Sequence, residues 1–330
     1  MNPTFVRVKR VWDGRFRDDA LIAIEDDAVR PVAQAAGAVA GYLPLTLLPP
    51  LTDAHVHIGL SDLAERGTTR LARVLDLGWN PGSLARLTAR SRLDTQVVYA
   101  GTFLTAPGGY PSDRGWAPAG SWTEITGTAQ AVTAVRAQLA GGASVIKVAL
   151  NAEAGPVLGD ELLRAIVAAA HAVPMPVVAH VEGAGEAIRA YRCGVDAFAH
   201  APWSERLGDA DVAAMAAGMT WISTLDMHGR GRYADDYGTA LDNLTRFIAH
   251  GGNVAYGTDL GNEASEADLN PREVAALRAA GLAGDGLIAA MTGGPGLPRW
   301  STTASIVTDG YDPIAGSRPV TAAQLKEYVV

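Results

Sequence analysis

Cysteine is almost absent from this sequence of 330 residues, in which Cys193 is the only one. A single cysteine cannot form an internal disulfide, and no cysteine cluster is available to hold a zinc ion. The sequence also lacks an apolar run of about 18 residues, the length that spans a bilayer. Its first residues lack the continuous apolar core of a signal peptide. These absences predict a cytoplasmic protein with no membrane partner.

An excess of basic residues is also absent. The chain has 27 Lys and Arg against 35 Asp and Glu, a formal net charge of −8, and no segment concentrates the basic residues. A surface for nucleic acid is therefore not expected. With 48% hydrophobic and 19% charged residues, the composition is that of a well-buried globular protein. We expect a small-molecule substrate as its partner, and a homo-oligomer is left open.

Short strands with tight turns are predicted at both ends of the chain. Residues 5–32 contain brief β-rich runs separated by turn residues such as Asp13 and Gly14, and the C-terminal segment returns to this style. We expect residues 1–46 and 298–330 to form a small β-sandwich beside the main domain.

Eight apolar runs alternate with amphipathic segments over residues 47–297. The predicted strands cover residues 51–58, 72–77, 96–104, 145–150, 177–181, 197–199, 220–225 and 254–258. The predicted helices cover residues 83–91, 128–140, 159–172, 185–192, 209–217, 239–250 and 271–280. Eight strands with helices between them, over roughly 240 residues, predict an α/β protein with a (β/α)8 TIM barrel. A doubly wound sheet is the competing architecture, but no Gly-rich phosphate turn follows the first strand.

A segment rich in Gly, Pro and Trp, residues 107–122, follows the third predicted strand without clear periodicity. In a barrel this segment, the 107–122 loop, would lie over the mouth. Loops in that position usually shape the access of the substrate.

Polar residues interrupt the apolar strands, mostly at their carboxyl ends, where barrel enzymes keep their chemistry. His55 and His57 stand two residues apart on the first strand, so both side chains point to the same side. Four further strands contribute one residue each: Lys147, His180, His200 and Asp259. Imidazole and carboxylate are typical ligands of divalent metals. We therefore expect divalent ions at the mouth, with zinc preferred and manganese or iron as alternatives.

Lys147 is the unusual member of this set. Metal ions would repel an ammonium group, and burial favours the neutral amine of a lysine. A neutral lysine can add carbon dioxide to form a carbamate, whose two oxygens can bridge two cations. This carbamate, Asp259 and a bridging hydroxide would balance most of the charge of two divalent ions, and a modest positive charge would remain to polarise a carbonyl.

The sequence resembles the amidohydrolase superfamily, in particular its imidazolonepropionase-like and dipeptidase-like branch with a carboxylated lysine. Five motifs in the correct order carry the resemblance: Leu-Thr-Asp-Ala-His-Val-His at 51–57, Val-Ile-Lys-Val at 145–148, Val-Ala-His-Val-Glu-Gly at 178–183, Gly-Val-Asp-Ala-Phe-Ala-His at 194–200 and Gly-Thr-Asp at 257–259. Residues 305–313 look like the returning sandwich strand of this family.

The resemblance implies a ligand set for two metal ions: His55, His57 and Asp259 for one, His180 and His200 for the other, and carboxylated Lys147 as the bridge. A hydroxide between the ions would attack the substrate carbonyl, and Asp259 would act as general base and then as general acid. The expected reaction is hydrolysis of an amide or cyclic amide C–N bond in an N-acyl amino acid or a dipeptide-like small molecule.

Three further residues are candidates for substrate binding. Many relatives carry Gly-Gly-His after the third strand, whereas this chain has Gly-Gly-Tyr, so Tyr110 could orient the substrate carbonyl instead. His228 and Arg230 fall in the predicted loop after the seventh strand, where an arginine could clamp a substrate carboxylate. A solvated loop is the alternative interpretation of that segment.

Other functions stay open on this fold. A mononuclear deaminase, another barrel lyase, or a lactone or ester hydrolase could use the same histidines, with Lys147 in a structural role. A non-catalytic binding protein is a third class, which the intact ligand set disfavours.

Overall fold

The computed structural model describes residues 3–26, 28–66, 68–90, 94–229, 236–262, 267–307, 312 and 314–330. The strands are β1 (Thr4–Trp12), β2 (Phe16–Ile24), β3 (Val29–Val32), β4 (Val39–Leu48), β5 (Thr52–Val56), β6 (Arg73–Asp76), β7 (Gln96–Tyr99), β8 (Phe103–Thr105), β9 (Trp122–Glu124), β10 (Ile146–Asn151), β11 (Val177–Glu182), β12 (Ala197–Phe198), β13 (Thr220–Ile222), β14 (Asn253–Ala255), β15 (Thr303–Val307) and β16 (Ser317–Thr321). The helices are α1 (Pro81–Arg90), α2 (Thr128–Ala140), α3 (Asp160–His171), α4 (Glu186–Arg192), α5 (Asp209–Ala216), α6 (Leu225–His228), α7 (Tyr237–Ala249), α8 (Pro271–Ala279), α9 (Gly284–Thr292) and α10 (Ala322–Glu327).

The two ends of the chain meet in one six-stranded sheet, in the order β16-β15-β4-β1-β2-β3. β1 and β2 form an antiparallel hairpin, and β4 runs parallel to β1 and antiparallel to β15. This sheet has its own apolar cluster, in which Val8, Ile22 and Leu43 are fully buried and Leu325 of α10 takes part. Residues from the beginning and the end of the chain therefore build the small β-domain together.

The central strands are parallel and lie in two sheets, β14-β13-β12-β11-β10-β8-β9 and β5-β6-β7. The third predicted strand is divided between them, because β7 pairs with β6 whereas β8 pairs with β10. At the far edges of the two sheets, beside β5 and β14, backbone hydrogen bonds of 2.9 Å join Ala54 N to Tyr256 O and Asp259 N to His55 O. These links bring the first strand beside the eighth. The arrangement fits a TIM barrel with a small appended β-domain.

The seven predicted helices are present, and in the described part of the chain three more, α6, α9 and α10, lie where the sequence pattern predicts none. α6 begins at Leu225 because the seventh strand ends at Ile222, three residues earlier than expected. α9 has a Gly-rich start, but Leu287 and Met291 are buried in the main core, so packing outweighs the low intrinsic helix propensity. Within the described ranges, none of the helices combines the length and apolar character needed to cross a bilayer.

Apolar side chains fill the interior of the parallel strands below the mouth. Val145 and Val178 belong to this interior cluster and are fully buried. Side chains two residues apart on a strand point to the same side. Lys147 on β10 and His180 on β11 therefore follow these valines toward the carboxyl ends, so the apolar layer forms the floor beneath the polar residues.

Arg73 on β6 ties the barrel to the segment that returns to the small β-domain. It is 1% exposed, and its guanidinium donates to Thr52 Oγ1 at 3.0 Å, Pro298 O at 2.7 Å and Thr292 O at 3.2 Å. Because Arg73→Met leaves these acceptors without a donor, we expect it to lower the free energy of unfolding in urea by about 3 kcal/mol. Arg86→Met on the exposed side of α1 is the control. Equal effects of the two substitutions would contradict this role.

Candidate metal centre

A cavity of about 650 Å³ lies at the carboxyl ends of the parallel strands. All six predicted ligands line it: His55, His57, Lys147, His180, His200 and Asp259. The 107–122 loop contributes Tyr110, Arg114 and Trp116 to the same cavity, in agreement with its expected place over the mouth. The volume is that of a site for a small molecule.

His55 and His57 present ring nitrogens to each other at the end of β5. His55 Nδ1 lies 2.8 Å from Ala199 O, and His57 Nδ1 lies 3.1 Å from Gly78 O. Since a carbonyl oxygen only accepts hydrogen bonds, each Nδ1 carries a hydrogen, and in the neutral tautomer Nε2 has the lone pair. The two Nε2 atoms are 3.3 Å apart. This tautomer is the one in which both Nε2 atoms are available as metal ligands.

A carboxylate oxygen of Asp259 lies close to the same two histidine nitrogens. Its Oδ1 lies 3.1 Å from His55 Nε2 and 3.3 Å from His57 Nε2. This oxygen is buried and accepts no hydrogen bond from the part of the chain that the structure describes. Asp259 also has a left-handed backbone, with φ +53°, a conformation that costs energy for a residue with a side chain. The local fold therefore holds the carboxylate in place at the expense of backbone strain.

His200 completes the innermost group. Its Nδ1 lies 2.9 Å from Thr224 Oγ1, and its ring centroid lies 4.7 Å from that of His55. One ligand atom each from His55, His200 and Asp259 lie within 4.8 Å of one another, close enough to hold a metal ion. Burial lowers the pKa of both histidines well below 6.5. Two histidines whose protonation is disfavoured, beside the buried Oδ1 of Asp259, are a donor set that suits a divalent cation.

Lys147 lies beside this group on β10 and is 1% exposed. In the described residues its ammonium has no hydrogen bond and no carboxylate within ion-pair distance. Burial lowers the pKa of Lys147 to about 7, although nearby Asp259 and Asp76 act in the opposite direction. A substantial fraction of the side chain is therefore the neutral amine near neutral pH.

The ring of His180 lies next to that of His200, but one of its nitrogens contacts Glu182. Its ring centroid lies 5.1 Å from that of His200, yet its Nε2 lies 3.1 Å from Glu182 Oε2. Glu182 Oε2 also accepts a hydrogen bond from Asn151 Nδ2 at 2.6 Å. Tyr110 stacks on the His180 ring at 5.2 Å, which places the phenol of Tyr110 at the cavity wall.

The other two candidates for substrate binding have different positions. His228 lies on α6 rather than in a solvated loop and is fully buried, and its ring lies tilted at 4.6 Å from that of Trp203, which itself lines the cavity. It thus supports the wall from behind. Arg230 lies outside the described residues.

Two buried carboxylates, which are not among the residues predicted from the sequence, connect the strands that carry the candidate ligands. Asp53 Oδ1 accepts from the backbone N–H of His55, and its Oδ2 accepts from Thr258 Oγ1 at 2.6 Å. Asp76 Oδ2 accepts from Ile58 N at 2.8 Å. Because these bonds span the first, second and eighth strands, they fix the relative positions of the segments around the site. The first motif contains Asp53, which is the one signal that could have shown this role.

No family model and no curated protein matches the chain in sequence. Among solved structures, a Xaa-Pro dipeptidase with bound methionine in the active site is 18% identical, with 98% of this chain and 99% of that chain covered, at a TM-score of 0.73. The A. niger ochratoxinase is 18% identical, with 99% and 93% covered, at a TM-score of 0.72. An amidohydrolase is 22% identical, with 95% and 93% covered, at a TM-score of 0.68.

These similarities extend over nearly the whole of each chain and establish the fold. One of these neighbours is itself described as an amidohydrolase. The resemblance inferred from the sequence motifs is therefore confirmed at the level of the fold.

Glu273 on α8 supports the wall of the site and should make stability depend on pH. It is fully buried, and its Oε2 accepts from Asp226 N at 2.6 Å at the start of α6. Burial raises the pKa of Glu273 from 4.5 to about 7. A carboxyl group with a raised folded-state pKa contributes stability that is present below pH 4.5 and is lost as the pH rises through about 7.

Glu273→Gln should remove this pH-dependent contribution. Between pH 4.5 and pH 8, we expect the free energy of unfolding of the wild type to fall by about 3 kcal/mol relative to that of the variant. Denaturant titrations at several pH values measure the difference, and the exposed Glu161→Gln on α3 is the control. Parallel curves for the wild type and Glu273→Gln would contradict the assignment.

Proposed function

We propose that this protein is a binuclear metal-dependent hydrolase that cleaves an amide or cyclic amide C–N bond in a small molecule. The observation that carries the proposal is the convergence of His55 Nε2, His57 Nε2 and Asp259 Oδ1 within 3.3 Å of one another. Three electron-rich atoms at this separation repel one another unless a proton or a metal ion lies among them, and burial disfavours protonation of His55. Solved structures of the same fold include a dipeptidase and an amidohydrolase, which supports an amide as the substrate.

Six side chains would hold the two ions: His55, His57 and Asp259 the first, His180 and His200 the second, and Lys147 both. The N and O donors suit zinc, with manganese and iron as alternatives. When bound, divalent ions at such a site supply Lewis acidity, which polarises a carbonyl and makes water more acidic.

Asp259 is the proposed proton carrier. Its Oδ2 accepts from Asn262 Nδ2 at 2.8 Å, whereas its buried Oδ1 is free of donors from the described residues. In the proposed mechanism this carboxylate takes the proton of the attacking water and later delivers it to the leaving nitrogen.

Lys147 would act as a carbamate. Its neutral amine forms an N–C bond with carbon dioxide and releases a proton, so a buried cation becomes an anion with two ligand oxygens. This change removes the energetic penalty of an unpaired buried ammonium. It also adds the negative charge that two divalent ions require.

We also propose that the strands at the eight predicted positions close into a (β/α)8 barrel. The hydrogen bond from Ala54 N to Tyr256 O supports closure on one side. On the other side, Ser144 N donates to Tyr99 O at 2.9 Å, between the two parts of the parallel sheet. A closed ring would bring all five ligand-bearing strands to one mouth.

A mononuclear deaminase, or a lactone or ester hydrolase, is the second candidate. One observation favours it: among the described residues, the compact group of possible ligands contains His55, His200 and Asp259 but not His180. In that case one ion would bind and Lys147 would keep an unmodified amine.

Asp259→Asn tests the proton carrier. The amide retains one ligand oxygen and the size of the side chain but cannot accept the proton, so we expect the folded variant to lose about 1000-fold in kcat. The assay uses an N-acyl amino acid or a dipeptide that the wild type cleaves, with circular dichroism as the check of folding. Asp242→Asn, at a surface ion pair with Arg246, is the control. Near-native turnover of Asp259→Asn would refute the mechanism.

Lys147→Ala tests the bridging carbamate. Loss of the side chain should remove one or both ions and nearly all activity, and acetate should restore part of each, because it can supply the missing carboxylate. Lys147→Arg should not be rescued, since guanidinium keeps its charge and cannot form this carbamate. Lys326→Ala, at an exposed ion pair, is the control. Full metal content and full activity in Lys147→Ala would exclude the bridge.

A further inference from the structure

The 107–122 loop brings a guanidinium group to the cavity. Arg114 lies 5.7 Å from the ring centroid of Tyr110, a distance at which a cation is attracted to the face of a ring. Tyr110 in turn stacks on His180 at 5.2 Å. The ring of Tyr110 therefore lies between Arg114 and His180, a histidine of the candidate metal centre.

Most of the hydrogen-bonding capacity of Arg114 remains available. Its Nε lies 3.3 Å from Asp113 Oδ1, and the two side chains are 39% and 50% exposed. Exposed ion pairs of this kind contribute little free energy and exchange readily. Within the described ranges, neither Nη atom of Arg114 makes a hydrogen bond. The four N–H groups of its two Nη atoms therefore have no hydrogen-bond partner among the described residues.

The charges around the cavity make this guanidinium distinctive. Four lining residues are acidic: Glu153, Glu182, Asp236 and Asp259. Of the lining residues that the structure describes, only Lys147 and Arg114 are basic, and Lys147 lies on the floor among the candidate metal ligands. Among the described lining residues, Arg114 is therefore the cation outside the candidate metal centre that could attract a substrate anion. The guanidinium fork also matches the two oxygens of a carboxylate.

We propose that Arg114 binds a carboxylate of the substrate at the mouth and thereby selects amides that carry a free carboxylate, such as N-acyl amino acids and dipeptides. This inference rests on the proposed amide hydrolysis. Trp116 lines the same cavity, with its ring 6.0 Å from that of Tyr110 and 6.4 Å from that of His57, and offers an apolar surface for the rest of the substrate.

Paired substrates test the anchor on the metal-loaded enzyme. The panel contains N-acetyl amino acids and dipeptides together with the same compounds capped as carboxamides. We expect Arg114→Met to lower kcat/KM for the free acids by about 100-fold, mainly through KM, and to change that for the carboxamides by less than about twofold. Arg114→Lys should be intermediate, because it keeps the charge but loses the fork. Arg164→Met, at a comparable exposed ion pair on α3, should behave as the wild type.

A binding measurement separates this inference from the proposed function. Isothermal titration uses N-acetyl-L-alanine and N-acetyl-L-alaninamide with Asp259→Asn, alone and combined with Arg114→Met. Tighter binding of the acid that disappears with Arg114→Met supports the anchor even if the wild type hydrolyses no amide, a result that would overturn the proposed function alone. If the wild type cleaves these amides and Arg114→Met changes neither the preference for the acid nor its binding, the anchor is wrong and the hydrolase stands.

Discussion

The main constraint on this protein is the mutual repulsion of electron-rich atoms in a buried place. His55, His57 and Asp259 bring ring nitrogens and a carboxylate oxygen within 3.3 Å of one another, and the carboxylate oxygen has no hydrogen-bond donor among the described residues. Positive charge from a proton or a metal ion would relieve this repulsion, and burial lowers the pKa of His55, which disfavours the proton. The proposed metal ions would supply this positive charge.

The surrounding fold serves to maintain this arrangement. Backbone carbonyls fix the tautomers of His55 and His57, and the buried carboxylate of Asp53 joins the first strand to Thr258 beside Asp259. Asp259 keeps a left-handed backbone, with φ +53°. Such strain persists only when neighbouring contacts hold the segment firmly. The strained backbone and the buried carboxylate are features expected of a preorganised site, and they support the proposed metal centre.

The sequence predicts the framework better than the walls of the site. Parallel strands share a carboxyl edge, so polar residues at strand ends are expected to converge, and Lys147 and His200 indeed line one cavity. The helices are also predictable, because a helix that buries one face places apolar residues at the helical repeat. The orientation of Arg114 has no such signal, because the 107–122 loop has no repeat that relates position to direction. The sequence predicts a loop at His228, but this residue is buried on α6 and its ring packs near that of Trp203, a contact between distant segments that the local sequence pattern does not show.

The number of divalent ions per chain tests the central claim most directly. Elemental analysis of protein produced with added zinc or manganese, after removal of loosely bound metal, gives this number together with the activity of the same sample. We expect two ions per chain, because six ligands on five strands exceed the needs of one tetrahedral ion with an open position. A constant value of one ion per chain in a fully active sample would contradict the binuclear centre and favour the mononuclear alternative.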